Sequence, residues 1–228
     1  MKKLLLFAAF LLQSLLNFGQ TNYSGTYGYS FEPQVSPPKN EKATGHNGKL
    51  VLLKMEENKY RFWLDVATGW PGNSVGETDG TITFLNDTAS FDNTFEDATT
   101  PCVLKFKISN KVISVNSMST SFNCGFGDNV SADGDYSWLK PQPVLNNDWL
   151  RKEYNQAPNA KVIANKAEIF KDENCINSFS PKKYFMKGDN ILNISDTEKS
   201  VYTEYIPSPG KFIYGWIKKT ALEIINTD

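Results

Sequence analysis

Between residues 23 and 139 apolar and polar positions alternate with period two in short runs. In Tyr60-Arg61-Phe62-Trp63-Leu64-Asp65-Val66, the residues Tyr60, Phe62, Leu64 and Val66 share one face of an extended strand, and Arg61 and Asp65 share the other. Trp63 is out of phase with the apolar face. Cys102-Val103-Leu104-Lys105-Phe106-Lys107-Ile108 alternates likewise, with Cys102, Leu104, Phe106 and Ile108 inward. Ser109-Asn110 then reads as a two-residue turn into Lys111-Val112-Ile113-Ser114-Val115. Weaker runs predict strands over 25–31, 49–55, 81–85, 89–91 and 135–139, with turns at Asp79-Gly80 and Asp133-Gly134. About eight short antiparallel strands predict a small barrel or sandwich, one face buried and the other wet. Residues 34–48, with Pro37, Pro38, Gly45 and Gly48, form the one long polar loop.

Pro141-Gln142-Pro143 ends this stretch, because neighbouring prolines cannot extend a sheet. Asn147-Asp148-Trp149-Leu150-Arg151-Lys152-Glu153-Tyr154 predicts a short helix capped by Asn147 and stopped by Pro158. Trp149, Leu150 and Tyr154 would dock it against a neighbouring domain. Beyond it come Lys161-Val162-Ile163-Ala164, then Lys183-Tyr184-Phe185-Met186-Lys187-Gly188-Asp189-Asn190-Ile191. Val201-Tyr202-Thr203-Glu204-Tyr205 and a closing Tyr214-Gly215-Trp216-Ile217-Lys218 follow, with Leu222 last. A strand ending in Lys-Gly-Asp, a tyrosine-rich strand and a Gly-Trp-Ile strand, in that order, resemble the bacterial SH3 domain over about 65 residues. The resemblance implies a small SH3-like β-barrel that binds peptide or cell-wall material and has no chemistry of its own. Residues 172–181, acidic and cysteine-bearing, depart from that pattern. The first stretch looks like small barrel domains that recur in exported bacterial proteins of unassigned function. Cys102, Cys124-Gly125-Phe126-Gly127 and Val130-Ser131-Ala132-Asp133-Gly134-Asp135-Tyr136 carry that likeness, which speaks to fold rather than function.

Residues 1–20 read as a secretory signal peptide. Lys2 and Lys3 precede an unbroken apolar run from Leu4 to Leu12, and a cleavage site falls beside Gly19 or Gln20. The run is about half the ~20 apolar residues a bilayer span needs, so no membrane span is expected after cleavage. In an oxidising compartment Cys102 and Cys124 would form a disulfide worth roughly 3 kcal/mol; the alternative is a pair of buried thiols. Cys175 is left over and reads as structural.

Composition narrows the classes further. With 40% hydrophobic and 21% charged residues, the chain is globular rather than disordered. The formal charge is −1, and Arg61 and Arg151 are its arginines, which disfavours nucleic acid as a partner. His46, in Thr44-Gly45-His46-Asn47-Gly48, is the one histidine and reads as a solvated loop residue. It cannot make a histidine-based metal site. No GxSxG, HExxH, phosphate-loop or CxxC motif is present. Asn129, Ser131, Asp133 and Gly134 are spaced as in a calcium loop, but Lys140 stands where that site needs a bidentate glutamate. Asp92, Glu96 and Asp97 read as a solvated acidic loop, and Asp87-Thr88-Ala89 as a chance match to an O-glycan acceptor.

Aromatic residues are the stronger lead. Phe212, Tyr214 and Trp216 alternate along one strand, and Tyr202 on the strand before extends their face, away from Tyr205. Such rings offer large, rigid, amphipathic surface for ligands. Trp70, in Thr68-Gly69-Trp70-Pro71-Gly72, lies at a loop tip suited to a partner or a sugar ring, or to plugging the barrel end. The sequence thus predicts an exported, periplasmic or extracellular, all-β protein without catalytic residues, metal or cofactor. Two small antiparallel barrels are expected. Residues 21–140 would be lipocalin-like or sandwich-like and 160–226 SH3-like, joined by a linker with a short helix at 141–159. The candidate ligand residues are Tyr202, Tyr214, Trp216 and Trp70, and the expected ligand is a peptide or cell-wall fragment. One alternative is an inhibitor or immunity factor acting on a secreted protein partner through the loop 69–76. Another is a carrier of small apolar molecules inside the first barrel.

Overall fold

In a computed structural model, which describes residues 22–94, 99–154 and 159–225, the period-two runs form two antiparallel sheets. The predicted export segment, Glu96, Asp97 and Pro158 lie outside the described residues. The first sheet comprises β1 (Gly25–Ser30), β2 (Asn47–Lys54), β3 (Lys59–Ala67), β4 (Val75–Thr83), β5 (Thr88–Asp92), β6 (Val103–Ser109), β7 (Val112–Ser117) and β8 (Gly134–Trp138). Each of β1 to β4 and of β5 to β8 pairs with the next, and β1 pairs with β8, so the sheet curls into a nearly closed barrel. Its seam falls between β4 and β5. Leu50, Leu52, Phe62, Leu64, Phe106 and Tyr136 fill the interior, fully buried. Cys102 and Cys124 are joined as a disulfide, which fits an oxidising compartment. Among the described residues no helix is long and apolar enough to cross a membrane.

Two turns differ from the pattern reading. Ser109 completes β6, and the hairpin turn is Asn110-Lys111, with φ of 46° and 66°. Two successive positive φ values match the twist of the flanking strands, which favours this register over a turn one residue earlier. Asp79-Gly80 makes no turn but lies inside β4, opposite Trp63 and Phe62. A Cβ on Gly80 would sit 2.4 Å from the ring of Phe91, so glycine there lets β5 close over the seam.

The second sheet comprises β9 (Ala160–Val162), β10 (Lys166–Phe170), β11 (Ser178–Met186), β12 (Asn190–Asp196), β13 (Ser200–Ser208), β14 (Lys211–Lys218) and β15 (Leu222–Ile224). Its strand order is β11-β10-β14-β13-β12-β9-β15, and it bends into a half-barrel around Ile169, Phe185, Ile191, Val201 and Ile217. The departing segment 172–181 is a tight turn, where the Asp172 carboxylate accepts from the amides of Ile176 and Asn177, and it runs into β11. Cys175 is free and buried. Helix α1 (Asn147–Tyr154) lies between the sheets in sequence, but Asn147 is not its cap. Asn146 Oδ1 accepts from the Trp149 amide, 2.8 Å away, whereas Asn147 Oδ1 accepts from Ile206 of β13 at 2.6 Å. The side chain beside the cap ties the helix to the second sheet.

The outer face of β2 and β3 was expected to be wet and is not. Val51, Leu53, Met55 and Trp63 point away from the barrel and share one apolar cluster with Ile206, Phe212 and Tyr214 of the second sheet. Arg61, only 6% exposed, lies in this layer and pairs with Glu204 of β13 at 2.9 Å, and it also contacts Asp79. Its guanidinium stacks 4.9 Å from the Trp63 ring. Burial opposes the charge on Arg61, but Glu204 and Asp79 hold its pKa above the ordinary arginine value. The Glu204 carboxyl is pushed up by burial against the pull of Arg61. At one margin α1 covers the same face: Tyr154 stacks on Trp63, its hydroxyl donates to Asp65 at 3.4 Å, and Glu153 pairs with Lys49.

Two stability measurements test this layer. Arg61→Ala strands the Glu204 carboxylate and should cost about 3–5 kcal/mol in urea denaturation, while Arg61→Met with Glu204→Leu should recover most of the loss. Equal instability of the single and double variants would contradict a desolvated, mutually compensating pair. Burial raises the Asp65 pKa to about 6, with Glu77 and Glu153 adding to it and Lys49 and the Tyr154 hydroxyl opposing. The folded value exceeds the unfolded one, so the proton-linked stability is complete below about pH 4 and is lost as pH rises through 6. Asp65→Asn should therefore stabilise the fold at pH 8 by on the order of 1–2 kcal/mol, a figure reduced for solvent screening, and not at pH 4. An equal gain at both pH values would rule this linkage out.

Candidate functional site

The four aromatic candidates do not converge. Tyr214 is 7% exposed, its hydroxyl donating to Glu56 of the β2–β3 hairpin, with the Lys59 ammonium 5.3 Å from its ring and Phe179 edge-on. Phe212 is buried in the same layer. The Phe212–Tyr214 half of the face expected to meet a ligand is thus covered by the first barrel. Tyr202 and Trp216 are opposite each other on β13 and β14, half-buried, with ring centroids 5.4 Å apart. Trp70 stands apart from all three, at an open end of the first barrel.

That end holds a cleft of about 540 Å³. Three chain segments build it, and each is tied to another. In the loop from β3 to β4, the Thr68 and Ser74 amides reach Ser74 O and Thr68 Oγ1, both at 3.0 Å, and the Asn73 amide reaches Gly69 O at 2.7 Å. The Trp70 amide donates to Thr44 O, 2.8 Å away in the loop from β1 to β2, which is itself closed by amide bonds between Phe31, Gly45 and His46. Gly69 has φ of 65°, and a Cβ on it would fall 2.1 Å from Gly45 O, so this crossing of loops needs glycine. The third segment follows the disulfide. After Cys124 the chain crosses the barrel end, with the Gly127 amide donating to Val75 O and Val130 and Ala132 buried inward. Asp128, Asn129 and Ser131 are thereby left on the cleft.

The cleft has one aromatic wall. Trp70 is half-buried, Val35 and Pro71 line the same cleft, and the indole N–H of Trp70 is buried without a hydrogen-bond partner. The ring therefore offers hydrocarbon, not a donor, to whatever enters. Polar groups also line the cleft: Gln34, His46, Asp128 and Asn129. His46 is not the solvated loop residue expected from its glycine-rich setting. It is half-buried, stacked on Phe31, with Nε2 3.3 Å from the Tyr29 hydroxyl. Asp128 is the one carboxylate on the cleft, and no lysine or arginine lines it among the described residues. No group of three His, Cys, Asp or Glu side chains comes together to hold a metal among the described residues.

His46, Asp128 and Asn129 were not read from sequence as partners of Trp70. The available signal was topological. In an antiparallel meander the β1–β2, β3–β4 and β7–β8 connections all emerge at the same end, so these loops had to be neighbours.

Comparison of the chain with protein-family models, curated proteins and solved structures returned no match. The site therefore stands on its geometry.

Gly69→Ala should cost about 1–3 kcal/mol through the left-handed backbone alone, with the clash against Gly45 added. Gly72→Ala, whose Cβ would meet only the Thr68 hydroxyl at 3.0 Å, should cost under about 1 kcal/mol. Urea midpoints of the two variants check this, and equal midpoints would mean that the loop crossing is not rigid.

Proposed function

We propose that this chain is an exported, non-enzymatic binding protein that takes a peptide or cell-wall fragment in the cleft at the end of its first barrel. The observation carrying this reading is the cleft itself: a tryptophan anchored through its backbone and several polar side chains line a recess large enough for a small-molecule ligand. Export rests on the apolar leader at residues 4–12 and on the disulfide. The lipocalin-like reading of the first barrel is supported by its eight-stranded meander, and the SH3-like reading of 160–226 by the order of its Lys-Gly-Asp, tyrosine-rich and Gly-Trp-Ile strands. A carrier of apolar molecules is the weaker alternative, because Phe62, Phe106 and Tyr136 occupy the barrel centre. Inhibition of a secreted enzyme through the loop 69–76 is a second alternative, favoured by the exposure of Pro71, Gly72 and Asn73 at the tip of that loop.

Within the second half, the half-open Tyr202–Trp216 couple favours a second, smaller contact surface. Co-sedimentation with insoluble cell-wall sacculi separates the two places. The protein should pellet, Trp70→Ala should lose most of that binding, and Trp216→Ala should keep it, each variant first being checked for folding. Loss in Trp216→Ala alone would move the site to the second sheet. If the folded protein stays in the supernatant, wall binding is wrong.

A further inference from the structure

We infer that the ligand of the Trp70 cleft is a neutral saccharide, one pyranose ring lying against the indole; this rests on the cleft being the binding site. Charge decides the class first. Carboxylates and phosphates are recognised by arginine and lysine, and none lines the cleft among the described residues, where Asp128 would repel an anion. That disfavours the acidic peptide of wall material as well as nucleotides. Apolar ligands are disfavoured from the other side. Such a ligand would strip water from Gln34, His46, Asp128 and Asn129, which line the cleft, without offering them partners.

A neutral sugar has the complementary chemistry: C–H bonds on the flat faces of its ring and hydroxyls around the edge. The Trp70 indole meets the first requirement, because its one polar atom is buried and its accessible surface is hydrocarbon. The polar side chains lining the cleft meet the second. Asp128 accepts, while the amides of Gln34 and Asn129 both donate and accept, which suits hydroxyl groups that do both. No hydrogen bond within the protein is formed by the side chains of Gln34, Asp128 or Asn129 among those the structure shows, so each is open to water or to ligand. Asn129 is held in place by its backbone: φ of 60° puts it in the left-handed region, between Gly127 bonded to Val75 and the buried Val130.

The test uses the indole N–H resonances of the purified, uniformly ¹⁵N-labelled protein. There are five tryptophans, and the Trp70 signal is assigned by its disappearance in Trp70→Phe. The probes are the neutral trisaccharides chitotriose, cellotriose and maltotriose, the anionic trigalacturonate, and a glutamate-containing wall peptide. At least one neutral trisaccharide should shift the Trp70 resonance saturably. Trigalacturonate should bind at least tenfold more weakly and the peptide should leave the resonance unmoved. Asn129→Gly, which removes the side chain at a solvent-facing position and is compatible with the left-handed backbone, should weaken the sugar at least tenfold without changing the spectrum of the free protein elsewhere. If the peptide shifts Trp70 and no neutral trisaccharide does, the cleft stands as the site and the saccharide assignment falls. If a sugar shifts Trp216 instead, or no probe shifts Trp70, the cleft reading falls with it.

Discussion

Strands β2 and β3 bury both of their faces, and the Arg61–Glu204 pair lies in the outer of the two layers. Alternate residues go to different cores: Leu50, Leu52, Phe62 and Leu64 to the barrel, Val51, Leu53 and Trp63 to the layer beneath the second sheet. Cross-strand register keeps the sets separate, with Leu52 opposite Phe62 inside and Val51 opposite Trp63 outside. Burying an ion pair offsets little of its own desolvation cost, so the net attraction between the sheets comes from the apolar groups around it. What the pair adds is position. Arg61 reaches both Glu204 and Asp79 only when β13 lies across β3, and any slide that parts Arg61 from Glu204 leaves two charges in an apolar layer.

The consequence for function is one of occupancy. An aromatic face on a small sheet is equally good at meeting a ligand and at meeting another sheet, since the same large rigid surface serves both. Here Phe212 and Tyr214 are committed to the neighbour, and the Tyr214 hydroxyl, the polar handle a ligand would use, is taken by Glu56. Irregular backbone and unpartnered side chains lie instead at the loop-built end of the barrel, the kind of place where binding residues concentrate.

Strict alternation made β3 and β6 legible, because each has one face inside a closed core. The helix was legible from its cap region and its aromatic stripe, and the disulfide from two cysteines in a chain whose sequence predicts export. The errors share one physical origin. A strand apolar on both faces carries no alternation, so 51–53 and the out-of-phase Trp63 gave no sign of which face was wet. Asp79-Gly80 has turn chemistry, yet Asp79 faces Arg61 and Gly80 makes room for Phe91. Both are roles set by residues far along the chain. Asn146 and Asn147 are equivalent as caps until Ile206 of β13 claims one of them. Tertiary partners decided each case that local pattern left open.

The same reasoning explains why Trp70 was found and its companions were not. A tryptophan between glycines at a loop tip is conspicuous locally, whereas Asp128 and Asn129 become neighbours of Trp70 only through the closure of the barrel and the anchoring of the segment after Cys124. That anchoring matters energetically. A ligand that orders mobile loops loses about 0.5–1.5 kcal/mol of affinity for each side chain it immobilises. In this cleft the crossing at Gly69, the amide bond from Trp70 to Thr44 and the bond from Gly127 to Val75 are made as the chain folds. Ordering of the loop backbone is therefore met by folding, and only the exposed Gln34, Asp128 and Asn129 side chains are left for a ligand to order.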